Sequence, residues 1–389
     1  MFSDRVNFDL QKNQLTQILK RKREQGTAVI DLTLSNPTQA EIRYPEEEIK
    51  KALNESCSFC YAPDPRGLFK AREAVAQYYA DRSCSVEPED ILLTSSTSEA
   101  YAFLFKLLSN PGESVLIPRP GYPLFEYLAA MESVQGVPYT LRFEERWAID
   151  LLELQEKVLQ APRALLIVSP NNPTGSFVSK SDWVEIERLC DPGSVPVICD
   201  EVFFDYPLDS KSPRFDAISH SDFPSFFLNG LSKTAGLPQL KLSWIVIRGP
   251  KDFRESVRPR LELISDTFLS VQTSIQEALG RILKLAPQVQ SQILERCRMN
   301  LSTLRSMVAN TSVDCLRVEG GWNAVLRIPR TLSEEEWVTT FLEEVNVLVH
   351  PGYFYDFARE GFLIVSLLPP TGDFNRGVER TLSLISRRT

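Results

Sequence analysis

Between Asp90 and Gly249 short apolar runs alternate with stretches of helical period. ILLTS, SVLIP, ALLIVS, VPVICD and SFFLN have the length of buried strands, and each ends in turn or polar residues. Ser98 to Leu108 and Tyr122 to Met131 carry helical spacing between them. Strands that alternate with helices pair in parallel through the helical crossovers, and the resulting sheet places its ligand site at the strands' carboxyl ends. LSWIVIRG closes the series as a last strand, of either direction.

After Gly249 the pattern changes. Two helical stretches, about 251–282 and 287–308, precede CLRVEGG, NAVLRIP, an acidic helix at Ser333 to Glu344, VNVLVHPG and FLIVSLL. This predicts a smaller α+β unit, and 389 residues are too many for one ordinary core. Residues 8–25, with Leu10, Leu15, Ile18 and Leu19 among charges, predict an amphipathic helix. IDLTLSNPTQ follows as a short strand breaking into an Asn36-Pro37 turn.

Composition removes several classes of function. A net charge of −8 argues against nucleic acid as a partner. No apolar run approaches a membrane span, and MFSDRVNFDLQKNQ lacks a signal-peptide core, so a cytoplasmic protein is expected. Seven scattered cysteines do not form a disulfide framework. Cys57-x-x-Cys60 lacks a second pair or histidines at ligand spacing, His220 and His350 being the only ones, so free thiols and no metal are expected. Neither G-x-G-x-x-G nor G-x-x-x-x-G-K occurs.

LNGLSKTAGLPQLKLSW, residues 228–244, holds Lys233 after Ser232 and ahead of a Gly-Leu-Pro turn, with Lys241 beyond it. Upstream stand SPNNPTG (Ser169 to Gly175) and VPVICDEVFFDY (Val195 to Tyr206). In this order the motifs resemble the fold-type I pyridoxal 5′-phosphate (PLP)-dependent aminotransferases of class I/II, from about Ile30 to Leu368. That resemblance implies an α/β large domain at 44–268, with a mostly parallel seven-stranded-type sheet flanked by helices. Residues 1–43 and 269–389 would then form the small domain. It also implies a homodimer, small-molecule amino donors and oxo acceptors, and PLP held through a Schiff base to Lys233.

A PLP enzyme must hold a phosphate, protonate a pyridine nitrogen, stack a ring and present an amine. Ser95, Ser96 and Thr97 sit where a strand turns into a helix, whose N-terminus suits an anion; Ser96-x-x-Glu99 is equally a capping box. By resemblance, Ser232 and Lys241 close the phosphate cup and Tyr61 reaches the phosphate of the neighbouring subunit. Asp200 pairs with the ring nitrogen, Asn172 with the ring phenolate, and Tyr122 stacks on the ring. Lys233 moves a proton between substrate and cofactor.

Five departures from the family pattern stand out. Ser96 replaces a glycine, Gly230 a serine or threonine that donates to the phosphate, Lys241 an arginine, and Phe203 a phenolate-donating tyrosine. Ile364 replaces the arginine that forks the substrate carboxylate, so that contact is missing or relocated, with Asn36, Arg66 and Arg359 as unranked substitutes and Asn36 and Asn172 facing the substrate. The expected activity is transamination between an amino acid or amine and an oxo acid. A PLP-dependent lyase or decarboxylase of the same fold, or a non-catalytic PLP-binding relative, is the alternative.

Overall fold

The computed structural model describes the whole chain except Met1, Asp9, Lys12 and residues 56–60, 191–194 and 210–213. The Cys57 and Cys60 pair therefore lies outside the described residues.

The central sheet has eight strands: β1 (Ile91–Thr94), β2 (Ser114–Arg119), β3 (Gln135–Phe143), β4 (Trp147–Ile149), β5 (Leu165–Val168), β6 (Val197–Asp200), β7 (Ser225–Gly230) and β8 (Ser243–Arg248). They lie in the order β1-β8-β7-β6-β5-β2-β3-β4. β2, β3, β5, β6 and β7 pair in parallel with their neighbours in that set. β8 is antiparallel to both β1 and β7, which settles the direction of LSWIVIRG. The strand beyond the expected seven is β4, which folds back on β3 and sets Trp147 opposite Phe143.

Both faces of this sheet are covered, and the strands alternate accordingly. Val197 and Cys199 of β6 and Phe227 of β7 enter one apolar cluster, while Ile198, Phe226 and Leu228 enter the other. Helices Thr97–Leu108, Leu124–Met131 and Lys180–Cys190 supply crossovers between parallel strands.

A second sheet, order β9-β10-β12-β11, is antiparallel throughout: β9 (Asp314–Cys315), β10 (Asn323–Arg327), β11 (His350–Pro351) and β12 (Phe362–Ser366). Helix Gln14–Glu24 packs Leu15 and Ile18 into the same cluster as Phe341 and Val349. Lys22 Nζ donates to Asn346 Oδ1 at 2.6 Å, so the first helix joins the last part of the chain. Leu10, expected on that helix, precedes it and is exposed, because Asn13 caps the helix by accepting from Thr16 N–H at 2.8 Å.

The helices after Gly249 divide elsewhere than expected. They run Lys251–Asp266 and Thr273–Val308, and the break falls where Leu269 adopts φ 48°. Pro287 sits inside the longer helix, whose flanking Ala286, Val289 and Ile293 are buried, so packing outweighs the lost hydrogen bond. This one helix braces three distant points. Gln276 Oε1 accepts from Leu68 N–H at 2.6 Å, Gln290 Nε2 donates to the Thr234 carbonyl at 2.8 Å, and Asn300 Nδ2 donates to the Leu367 carbonyl at 2.8 Å.

Candidate active site

A cavity of about 460 Å³ opens at the carboxyl ends of β1, β5, β6 and β7 and is closed on the far side by the smaller sheet. Ser96, Thr97, Tyr122, Asn172, Asp200, Phe203, Ser232, Lys233 and Lys241 all line it. These residues span nearly 150 positions and converge because they lie on the loops at one edge of the sheet, where β1, β2, β5, β6 and β7 end and β8 begins.

Lys233 lies in a single helical turn, Leu231–Thr234, directly after β7. Tyr206 Oη donates to its backbone carbonyl at 2.6 Å, and Gln290 holds the next carbonyl, so the turn is fixed from two sides. Its side chain is partly buried, facing the cavity. Among the described residues Nζ has no hydrogen-bond or ion-pair partner, and it stands 5.3 Å from the Phe203 ring centre and 4.9 Å from that of Trp322. Burial pushes the ammonium down to about 8, against the opposing charge of Asp200.

Asp200 ends β6 and is buried. Its carboxylate accepts from Tyr101 Oη at 2.6 Å and from Val202 N–H at 2.9 Å, and forms no ion pair among the described residues. Burial raises its pKa above the usual carboxylate range, although both hydrogen bonds and Lys233 pull it back. A buried carboxylate without a cation on it and a largely desolvated amine without an ion-pair partner thus share one cavity.

At the start of helix Thr97–Leu108 both expected roles of the SST segment meet. Ser96 Oγ accepts from Glu99 N–H at 3.2 Å, and the Glu99 carboxylate accepts from Ser95 N–H at 2.6 Å. Those two groups are spent on the cap, and Ser95 does not line the cavity. The Thr97 hydroxyl and the N–H groups of Thr97 and Ser98, which have no carbonyl inside the helix, remain for a ligand. Lys241 is exposed, held at φ 49°, and faces the same end.

Other expected residues fall outside. Ile364 is buried in β12 opposite Val325 and His350 and does not line the cavity. Asn36 turns its side-chain oxygen onto Thr38 N–H at 3.1 Å, Arg66 pairs with Glu262 at 3.0 Å, and Arg359 lies over the Phe362 ring at 5.9 Å. None of the three lines the cavity, and neither does any other described arginine. Tyr61 is 78% exposed beside a separate, smaller pocket.

Several lining residues were not foreseen. Tyr101 follows Thr97 by one helical turn, and that spacing alone could have placed it at the cavity. Asn323 and His350 come from the smaller sheet, Trp322 directly precedes its strand β10 and Tyr355 ends the turn after β11, and none carries a local motif. Asn323 Nδ2 donates to Asn172 Oδ1 at 2.8 Å, and His350 Nδ1 lies 3.2 Å from Tyr355 Oη. Burial lowers the His350 pKa, which favours the neutral ring. Among the described residues no cluster suited to a metal ion occurs, and no helix is long and apolar enough to cross a membrane.

A sequence model described as aminotransferase class I and II matches residues 27–380. Tyrosine aminotransferase from Mus musculus is 31% identical over 275 residues, which are 69% of this chain and 60% of that protein. Glutamate-pyruvate aminotransferase from Escherichia coli (strain K12) is 29% identical over 285 residues, 71% of this chain and 69% of that protein. The match thus spans only 60% of the length of the mouse relative. Among solved structures, an alanine aminotransferase from Pyrococcus furiosus has a TM-score of 0.91 at 21% identity, with 100% of each chain covered. An aminotransferase from Escherichia coli has a TM-score of 0.88 at 24% identity, covering 99% of this chain and 98% of that one. At these identities the structural matches establish a common fold.

Proposed function

The chain belongs to the aminotransferase class I and II family, and from that premise we propose that it is a PLP-dependent aminotransferase exchanging an amino group between an amino acid or amine and an oxo acid. The observation that carries this is the pair Lys233 and Asp200, two desolvated charged groups in one cavity, neither held in an ion pair among the described residues. The donor set fits the cofactor. A cationic ring nitrogen supplies what the Asp200 carboxylate lacks, and a phosphate suits the free hydroxyls of Thr97 and Ser232 beside Lys241.

Bound there, the cofactor supplies an aldehyde carbon that takes up amino groups and a ring that withdraws electrons. Asp200 holds the proton at the ring nitrogen, because a desolvated carboxylate gains most from a cation at hydrogen-bond distance. Lys233, with its ammonium near pKa 8, has neutral amine available to take a proton from the substrate α-carbon and return it. Tyr122, partly exposed at the cavity wall, offers an aromatic face for the ring, and Asn172 a side-chain amide for its oxygen. Ser95 contributes only through the cap.

The substrate contact differs from the family pattern. With no arginine lining the cavity, a substrate carboxylate is met by neutral donors on the smaller-sheet side, where Asn172, Asn323 and Tyr355 stand. The relatives named for tyrosine, alanine and glutamate suggest α-amino acids as donors. We also carry the division into residues 44–268 and 1–43 with 269–389, a homodimer completed by Tyr61, and a cytoplasmic location as parts of this proposal.

Two measurements test it. Borohydride reduction followed by peptide mass spectrometry should find the cofactor attached to Lys233, and attachment to another lysine overturns the assignment. Absorbance of the bound cofactor, followed against α-amino acids and matched amines without the carboxylate, should show faster conversion by the amino acids. Equal rates would exclude a carboxylate contact.

A further inference from the structure

Gly230 and Ser243 face each other across the β7–β8 pair, and both line the cavity beside Ser232 and Lys241. A Cβ added at Gly230 would lie 2.1 Å from Ser243 Oγ and 2.7 Å from Ser243 Cβ. The hydroxyl of Ser243 therefore fills the space from which a side chain at position 230 would start. The backbone at Gly230 is fully extended, φ 176°, so no conformational demand calls for glycine there. The close approach does. Ser243 is a buried residue, but its hydroxyl bonds to no described group and is not among the fully buried polar atoms, so it opens into the cavity.

We propose that Ser243 is a cofactor-binding residue, its hydroxyl donating to the phosphate in place of the side-chain hydroxyl that Gly230 lacks. A hydroxyl that opens into the cavity and has no protein partner is free to donate to a ligand there, and a phosphate oxygen at this end of the cavity is a suitable acceptor. The two positions act as one: a single hydroxyl fits between the strands, contributed from either side but not from both. This rests on the cofactor assignment above and goes beyond it in naming a residue that no motif marks.

The test is affinity, not turnover. Cofactor-free protein is titrated with PLP and with pyridoxal, which lacks the phosphate, by quenching of intrinsic fluorescence. Inorganic phosphate is titrated as a competitor. Ser243→Ala should weaken PLP and inorganic phosphate on the order of tenfold or more and leave pyridoxal within about twofold of wild type. Gly230→Ser alone should weaken PLP, because its side chain collides with Ser243. The exchange Gly230→Ser with Ser243→Gly should restore PLP affinity to within a few-fold of wild type, and it covers the case in which a single variant fails to fold. PLP affinity unchanged in Ser243→Ala, or equal losses for PLP and pyridoxal, overturns the role of Ser243. Wild-type protein that shows no saturable PLP binding overturns the cofactor assignment instead, and this proposal with it.

Discussion

Lys233 combines a desolvated amine with the lack of an ion-pair partner among the described residues, and two consequences follow at its own scale. Below about 8 the folded chain must protonate a desolvated amine, whereas the unfolded lysine holds its proton up to the ordinary 10.5. Between those values the unfolded chain binds more protons, so the stability of the cofactor-free protein rises with pH across that window. The gap corresponds to roughly 3 kcal/mol. Lys233→Met should therefore be more stable than wild type near neutral pH, with the difference shrinking toward pH 10.5. Urea midpoints measured across that range check it, and a difference independent of pH would show that the amine is not desolvated. Asp200→Asn should keep bound cofactor and lose on the order of 10²-fold or more in turnover, since an amide does not hold a proton on the ring nitrogen. Steady-state rates within a few-fold of wild type would contradict that role.

Among the elements, the loop after β6 is secured by Arg82, just beyond helix Phe69–Ala80. Its guanidinium bonds Glu201 at 3.2 Å and Asp216 at 2.8 Å, and it stacks 3.8 Å over the Phe204 ring. Glu201 is buried and adjacent to Asp200, and its desolvation raises its pKa against the pull of Arg82. Arg82→Met removes the cation from two carboxylates at once. The expected cost is about 3–5 kcal/mol of stability, with cofactor affinity falling as the Asp200 strand end loosens. Denaturant unfolding measures the first and cofactor titration the second. A change below about 1 kcal/mol would mean that the network is solvated. The long helix Thr273–Val308 acts at the same scale, because the turn bearing Lys233 leans on it through Gln290.

For the whole molecule, the proposed homodimer is tested at Tyr61, whose ring is exposed in the single chain. Mixing Tyr61→Phe with Lys233→Ala should return measurable activity if each site draws on both subunits, since one mixed site then carries both lesions and the other carries none. Confirmed subunit exchange without recovery would leave Tyr61 a surface residue of its own chain. What the sequence determined by itself was local or periodic: the alternation that dictates the parallel sheet, the strand ends that carry Asp200 and Lys233, and the Ser96 cap. These were legible because strand period, turn chemistry and capping act over a few residues. The tertiary structure decided the rest. It set β8 antiparallel, extended one helix through Pro287, and left Asn36, Arg66 and Arg359 outside the cavity. It also brought Trp322, Asn323 and His350 across from the smaller sheet and set Ser243 against Gly230. Such contacts join residues far apart in the chain, and their geometry depends on how two packed sheets meet, which no local pattern of side chains encodes.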